Sequence, residues 1–376
     1  MRVAFTAPMK PLDDPVPSGD RTMGRLIVQA LELAGHEVEV ASTFRSWRAE
    51  GGEDVTRDVK ELALSEANTI ADQWMKRGEV PDIFLTYHLY HKAPDWIGPY
   101  LCAKFNIPYV VVEASRAPKR QSGNWALGFN AADAAMSQAS QVVALTNSDA
   151  RCLSEVLNAD VLSVLPPFLD EAKFELNHSV TKGSADGTIR LLCAGMMREG
   201  DKLFSYMVLS AALKQITDLP WRLTIAGDGP ARAEIEPLFD KSRTEFRGLI
   251  PWQEMPRLYR AHDIFVWPAV REAFGFVFLE AQSCGLPVVG GRVFGVPDIV
   301  EEGTSGLLSD EGDASALAQN LMSLIKNNHK RQNMAQAAVE NIRNNHSLAT
   351  GAKGLDRVLQ AAVEHHQYKR RMHGGT

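Results

Sequence analysis

The sequence is poor in the residues that would staple or anchor it. Its 376 residues include four cysteines, Cys102, Cys152, Cys193 and Cys284, with no Cys-x-x-Cys pair and no histidine cluster beside any of them. A disulfide framework and a zinc site are therefore disfavoured, and a reducing, cytoplasmic setting is expected. No apolar stretch approaches the ~20 residues of a membrane span. The start, Met1 to Phe5, is too short an apolar run for a signal peptide and reads as a first strand. Contact with a membrane surface on the cytoplasmic face stays open. Excess charge is small as well: a formal net charge of −6 argues against bulk attraction to nucleic acid. Gly-x-Gly-x-x-Gly is missing after the first strand, which counts against an NAD oxidoreductase. No Asp-x-Asp stands in a plausible loop, so no metal and no cofactor is called for by any visible motif.

What is present is βαβ patterning. At 376 residues the chain is long for one core, and two domains are expected. Short β-branched runs at 3–6, 37–41, 83–86, 109–112, 142–145 and 161–165 alternate with helical stretches. In residues 24–34, for example, Leu26, Ile27, Ala30, Leu31 and Ala34 share a face, and Gly35 ends the helix. A polar stretch at 176–188, with Gly183, Ser184 and Gly187, reads as a linker. A second series follows at 190–194, 222–226, 245–247, 264–267 and 288–290. The expected division is 1–175, 188–350, and a C-terminal helix with basic tail over 351–376 that packs back on the first domain. That helix should run from about 352 to 363, with Lys369, Arg370 and Arg371 beyond it and a frayed end at 372–376. Two open α/β sheets bind ligands at the carboxyl ends of their strands.

The most informative segment runs from Arg271 to Ala281. Gly275 permits a sharp entry into a helix, and a helix start offers unpaired N–H groups and a positive dipole end to a phosphate. A diphosphate is therefore placed on the backbone of Gly275, Phe276 and Val277. Glu272 precedes that helix and Glu280 lies one turn inside it. Their carboxylates can accept hydrogen bonds from sugar hydroxyls, and an eight-residue offset spans ~12 Å if helical. Two bare glutamates near a helix start are usually only solvated; the surroundings decide.

Those surroundings are Leu258 to Val266 before the pair, Ala281 to Val289 after it, then Gly295-Val296-Pro297 and Gly303 to Leu308. The run closely resembles the C-terminal domain of the retaining glycosyltransferases called family 4, over about 189–325, and the first half more loosely. The resemblance implies an α/β GT-B fold, two Rossmann-like parallel-sheet domains facing across a cleft. It implies a metal-independent transfer of sugar from a nucleotide-diphosphate donor (UDP- or GDP-sugar) to a hydroxyl acceptor such as a glycolipid, glycan or small molecule, with retention. By position, Glu280 would bind the donor ribose, Glu272 the transferred sugar, and Gly275, Phe276 and Val277 the diphosphate or sugar. Family members also carry a glycine-arginine step with a lysine beyond it, which neutralises the leaving diphosphate. Lys202 answers the lysine, whereas Met196 follows Gly195 and the arginine is displaced to Arg198.

The resemblance further assigns Gly227, in the turn Gly227-Asp228-Gly229, to the nucleotide side, and the backbone at Leu249 and Ile250 to the base. Gly19, in the loop from Pro17 to Asp20, would approach the donor, although this loop is poor in glycine. The stretch Pro166 to Asp170 with Phe174 resembles the family's interdomain element, with Pro167 and Phe168 in place of the usual Asn-Gly, and the resemblance implies a hinge marker only. A histidine common after the fourth strand is missing, since that region reads Val112-Glu113-Ala114-Ser115; Glu113 or Ser115 would fill its place. His88, and less so His91, stand at an earlier strand end as acceptor-side candidates. Lys119, Arg120, Trp125 and Phe129 suggest a basic and aromatic patch for an anionic or lipid acceptor, against the plainer reading of a loop and a packed helix. The competing functions are a non-catalytic sugar-nucleotide or glycan-binding protein and a sugar phosphorylase-type enzyme on the same fold. Oligomeric state is open.

Overall fold

The computed structural model describes residues 1–16, 18–174 and 187–373. Pro17, most of the expected linker and the last three residues of the expected frayed end lie outside the described residues. The chain divides into two units, Met1–Pro167 with Leu348–Thr376, and Phe168–Ser347.

The first unit runs β1 (Arg2–Thr6), α1 (Gly19–Leu33), β2 (Glu37–Ser42), α2 (Glu53–Arg77), β3 (Ile83–Leu89) and α3 (Ile97–Phe105). It continues through β4 (Tyr109–Ala114), α4 (Ala126–Gln138), β5 (Gln141–Ala144), α5 (Asn147–Leu153) and β6 (Leu162–Val164). The second unit holds β7 (Ile189–Ala194), α6 (Asp201–Leu213), β8 (Trp221–Ala226), α7 (Arg232–Ile235), β9 (Thr244–Gly248) and α8 (Met255–Arg260). After these come β10 (Ile264–Trp267), α9 (Phe276–Ser283), β11 (Val288–Arg292), α10 (Val296–Ile299), β12 (Gly306–Asp310), α11 (Ala314–Lys326) and α12 (Asn328–Asn345). The final helix, α13 (Leu348–His373), returns to the first unit.

Each unit is one parallel sheet, ordered β2-β1-β3-β4-β5-β6 in the first and β12-β11-β10-β7-β8-β9 in the second. Central strands such as β4 and β10 are buried along nearly their whole length, as a sheet with helices on both faces requires. Both orders reverse direction once: between β1 and β3 in the first unit, and between β7 and β10 in the second. At such a reversal the connections leave on opposite sides and open a crevice at the carboxyl ends of the strands.

The expected strands are present with small shifts, and β12 is an addition. Its Gly-Leu-Leu-Ser-Asp run is short and half polar, with little β propensity to betray it. Helix α1 starts earlier than the apolar stripe suggests, because the Ser18 hydroxyl caps it by accepting from the Arg21 amide at 3.2 Å. The C-terminal helix is longer than expected at both ends and takes Lys369, Arg370 and Arg371 into its last turns. It buries Leu355, Leu359 and Ala362 and packs along α1 and β5. Gly354 permits that approach: a Cβ there would stand 2.4 Å from Leu165. His36 fixes the seam through Asp356 at 3.1 Å.

In the second unit a buried amide network holds α9 in place. Gln282 donates to the Ile299 carbonyl at 2.9 Å, and Asn341 of α12 donates to the Gln282 side-chain oxygen at 3.0 Å. Buried amides with every partner in place fix a position more sharply than apolar contact does. Near the boundary, Phe168 is fully buried and Leu169 donates to the His346 carbonyl at 2.9 Å within the second unit.

Candidate active site

The second unit's reversal point brings three polar features together. Lys202, in the first turn of α6 after β7, forms an ion pair with Glu272, in the loop after β10. Trp267 at the end of β10 floors the pair. Its indole donates to the Glu272 carboxylate at 3.3 Å, and the Lys202 ammonium stands 5.3 Å from its ring centroid. Trp267 is itself fixed, edge-on to Tyr206 at 5.1 Å, and the Tyr206 hydroxyl donates to the Gly195 carbonyl at 2.8 Å. The pair is thus set on packed aromatic rings, and each member is about a quarter exposed or less.

Backbone approach shapes the floor beside it. The loop after β7 lies directly on the turn after β8. A Cβ on Gly227 would stand 1.9 Å from the Gly195 carbonyl oxygen, and Gly227 has φ +136. Met197 donates to the Asp228 carbonyl and accepts from the Ala231 amide, both at 3.0 Å. The Asp228 carboxylate caps the Gly229 amide at 2.8 Å and pairs with Arg232 at 2.9 Å, so it serves the turn.

The loop between β10 and α9 is held in an uncommon shape. Ala269 and Arg271 have φ of +58 and +49, and Gly275 follows at +74. Non-glycine residues persist there only when their surroundings impose it. Ser205 supplies part of that restraint, its hydroxyl accepting from the Val270 amide at 3.0 Å, and Glu311 accepts from the Arg271 amide at 3.1 Å. Gly275 starts α9, and a Cβ there would press on Phe278 at 3.0 Å and Glu272 at 3.2 Å. Phe276 and Val277 occupy the first turn, whose amides have no intrahelical acceptor. Inside the helix, Glu280 accepts from the buried Tyr259 hydroxyl at 2.7 Å. Burial pushes the Glu280 carboxyl above its ordinary range, and the Tyr259 hydroxyl works against that.

The first unit's reversal point carries a second cluster. Asp20 of α1, His88 near the end of β3 and Glu113 near the end of β4 each offer one ligating atom, all within 4.8 Å of one another. His88 Nδ1 lies 2.9 Å from Asp20 Oδ1 and 3.7 Å from Glu113 Oε1. Both His88 and Glu113 sit at positive φ, +61 and +62. Burial disfavours the charged imidazole, but Glu113 and Asp20 outweigh it and raise the His88 pKa to about 9. Burial likewise raises the Glu113 carboxyl, against the pull of His88. Tyr87 and Tyr90 flank the imidazole with ring centroids 5.9 and 5.1 Å away.

Of the residues singled out in the sequence, Lys202 and Glu272 meet, with Gly275, Phe276 and Val277 on the same loop and helix start; His88 and Glu113 also meet. Gly227 underlies the loop that leads to Lys202. Arg198 is exposed and its side chain makes no hydrogen bond or ion pair among the described residues. Leu249 follows β9 and is 77% exposed. Gly19 starts α1 one residue before Asp20. His91 stacks edge-on with Trp125 at 5.4 Å, and burial, with Arg120 and Lys92 nearby, lowers its pKa to about 4. Of the basic and aromatic candidates, Lys119 and Arg120 are exposed and Trp125 lies under Lys92, whereas Phe129 leaves the surface. Phe129 is turned into the core by α4 and lies under Arg116, which pairs with Asp133 at 2.9 Å. Sequence reasoning missed Asp20, Trp267, Tyr259 and Ser205 as partners. Asp20 left a trace, one residue after Gly19, and Trp267 stands five residues before Glu272 at the end of an expected strand; Tyr259 and Ser205 lie too far along the chain from what they touch. No described helix is long and apolar enough to cross a membrane.

Comparison with known proteins bears on the family of the second unit's segment and on the fold. Residues 188–327 match the family model described as Glycosyl transferases group 1. Sulfoquinovosyl transferase SQD2 of Arabidopsis thaliana is 38% identical over 133 residues, 34% of this chain and 26% of that protein. The D-inositol 3-phosphate glycosyltransferase of Pseudarthrobacter chlorophenolicus is 32% identical over 245 residues, 61% of this chain and 57% of that protein. The matched stretches therefore span about a quarter to just over half of these relatives' own length. Among solved structures, the Anabaena protein Alr3699/HepE in complex with UDP aligns over 96% of this chain and all of that one, with a TM-score of 0.70 and 16% identity. At that identity the likeness speaks for the fold alone, and that fold is GT-B.

Proposed function

We propose that this chain, with its group 1 glycosyl transferase segment in a GT-B fold, is a retaining glycosyltransferase using a nucleotide-diphosphate sugar. One observation carries the reading: Lys202, Glu272 and the start of α9 converge at the reversal point of the sheet that contains the matched segment. A cation, a carboxylate and a helix start are what a diphosphate sugar needs: two groups for its charge and one for its hydroxyls.

On this reading the diphosphate lies against the backbone of Gly275, Phe276 and Val277. Lys202 and Arg198 offset the charge that gathers on the β-phosphate as it leaves. Glu272 accepts from hydroxyls of the transferred sugar and Glu280 from the ribose. Gly227 lets the nucleotide approach the backbone, and the chain at Leu249 faces the base. The donor's C1–O bond to phosphate breaks and a C1–O bond to the acceptor oxygen forms on the same face. The acceptor's proton passes to the departing phosphate oxygen. These side chains and the helix start supply the positive charge the leaving group needs, so the diphosphate chemistry here invokes no metal. The acceptor, a hydroxyl of a glycan, glycolipid or small molecule, rests on the first unit beside His88 and Glu113. UDP in the Anabaena structure favours a UDP-sugar over a GDP-sugar.

Thermal melting of the wild type and of Glu280→Ala with UDP, GDP, ADP and their sugar conjugates tests this. A ligand at ~100 times its Kd adds ~2.7 kcal/mol to stability. Stabilisation by one nucleotide family, weakened in the variant, is expected. Folded wild-type protein that no nucleotide stabilises would remove the donor site and with it the proposal.

A further inference from the structure

The donor chemistry leaves the cluster at the first unit's reversal point with more ligating capacity than a passive acceptor contact needs. We propose that Asp20, His88 and Glu113 form a binding site for one divalent metal ion of the zinc or manganese class, leaving a coordination position for an outside oxygen ligand. The inference goes beyond glycosyl transfer and holds whether or not the second unit binds a nucleotide.

Three separate elements deliver the three ligating atoms. Ligands at ~2.0–2.2 Å from one ion stand ~3–3.6 Å apart. His88 Nδ1 lies 2.9 Å from Asp20 Oδ1 and 3.7 Å from Glu113 Oε1, so small adjustments suffice. An independent observation points to a missing partner. Glu113 Oε2, the second oxygen of the carboxylate whose Oε1 faces His88, is buried and has no partner within hydrogen-bond geometry, although the Tyr87 hydroxyl acts on the same carboxylate. A buried carboxylate oxygen without a partner is costly, and a metal ion is a partner that would fit among these groups. Charge agrees: a divalent cation takes over the role of the imidazole's proton between the two carboxylates, and displacing that proton leaves the neutral imidazole, the form in which it ligates.

The donor set selects the metal class. One nitrogen and two carboxylates suit zinc or manganese; without sulfur the set does not suit copper(I) or iron–sulfur chemistry, and calcium favours oxygen ligands alone. Three protein ligands are the pattern of sites that keep a fourth position open. The rings of Tyr87 and Tyr90 stand beside His88, with centroids 5.9 and 5.1 Å away. A hydroxyl or water entering the open position would be bound and polarised there.

The test uses the untagged full-length chain, stripped with EDTA and titrated calorimetrically with zinc(II) and with manganese(II). Metal content is read by mass spectrometry, and cobalt(II) substitution supplies a visible spectrum that reports coordination number. About one ion per chain is expected, with Asp20→Asn and Glu113→Gln each weakening binding by about tenfold or more. Circular dichroism of the metal-free variants verifies that they are folded, and the two substitutions serve as checks on each other. No saturable binding by the wild type would overturn the site. So would binding that Glu113→Gln and Asp20→Asn leave unweakened, as capture at histidines of α13 such as His365 and His366 would. UDP titration of the same samples reads the donor site separately, so failure of either proposal is visible without the other.

Discussion

At the crossing of β7 and β10 a lysine answers a carboxylate over an indole floor; at the crossing of β1 and β3 one imidazole stands between two carboxylates. The same topological device thus carries opposite charge balances. In the second unit the pair is neutral and the neighbouring helix start is positive, so incoming negative charge is welcome. In the first unit the acidic groups outnumber the basic one, which favours cations and hydrogen-bond donors. A shared fold fixes where a ligand sits; the side chains at the reversal decide its sign.

The sharpest way to break this comparison is to remove the central cation from each side. Lys202→Ala should lower turnover of a nucleotide sugar by about 10²–10³-fold, the scale for losing one group that stabilises developing charge. His88→Ala should cost less, on the order of tenfold, and chiefly in KM for the acceptor. Steady-state kinetics with both substrates varied separates the two. A larger loss at His88 than at Lys202 would reverse the assignment of charge chemistry to the second unit.

Next in size is a backbone effect confined to the second unit. Gly227→Ala places a methyl group against the Gly195 carbonyl and demands a φ that alanine avoids. A loss of about 2–4 kcal/mol in denaturant melts is expected, and a loss below ~0.5 kcal/mol would mean the two loops separate easily. Then comes the Lys202–Glu272 pair itself. A double-mutant cycle with Lys202→Met and Glu272→Gln, read by UDP-dependent melting, should return a coupling of about 0.5–3 kcal/mol. Additive single effects would show that the two groups act apart.

The smallest effect concerns Glu280. Burial raises its carboxyl in the folded chain, so folding favours the protonated form. Stability therefore falls as pH climbs from the ordinary value of 4.5 up through the raised one, and stays reduced above it. Glu280→Gln keeps an acceptor for Tyr259 and escapes that penalty. Without nucleotide it should melt at or above the wild type near neutral pH, with the difference closing as the pH falls below 4.5. A gap that widens in acid would contradict the sign.

Much of the second unit was legible because its informative residues follow one another. Glu272, Gly275 and Glu280 lie within one loop-and-helix segment, and turn glycines mark where backbone must pass close. The partners that fix them were not legible: Tyr259 reaches Glu280 from another helix, and Ser205 holds the Val270 amide from 65 residues away. Such contacts depend on helix phase and crossing, which spacing does not encode. In the first unit His88 and Glu113 stood out as isolated candidates at strand ends. Asp20, which joins them, was hidden in a loop noticed only for its scarcity of glycine. The extent of α13 was missed at both ends, because an amphipathic helix with a polar outer face shows no sharp stop in basic sequence.

That last helix has a consequence for how the molecule is made. Its contact with the start of the chain, His36 to Asp356, joins residues 320 apart in sequence. A ribosome adding ~5–20 residues per second would need on the order of ten seconds to a minute to bridge that gap. Throughout that interval the nascent first unit lacks its α13 cover, while the second unit is translated and can fold as an insert. During synthesis the earlier half of the protein would therefore be the later one to finish, and its open α1 seam is where a chaperone would be most needed.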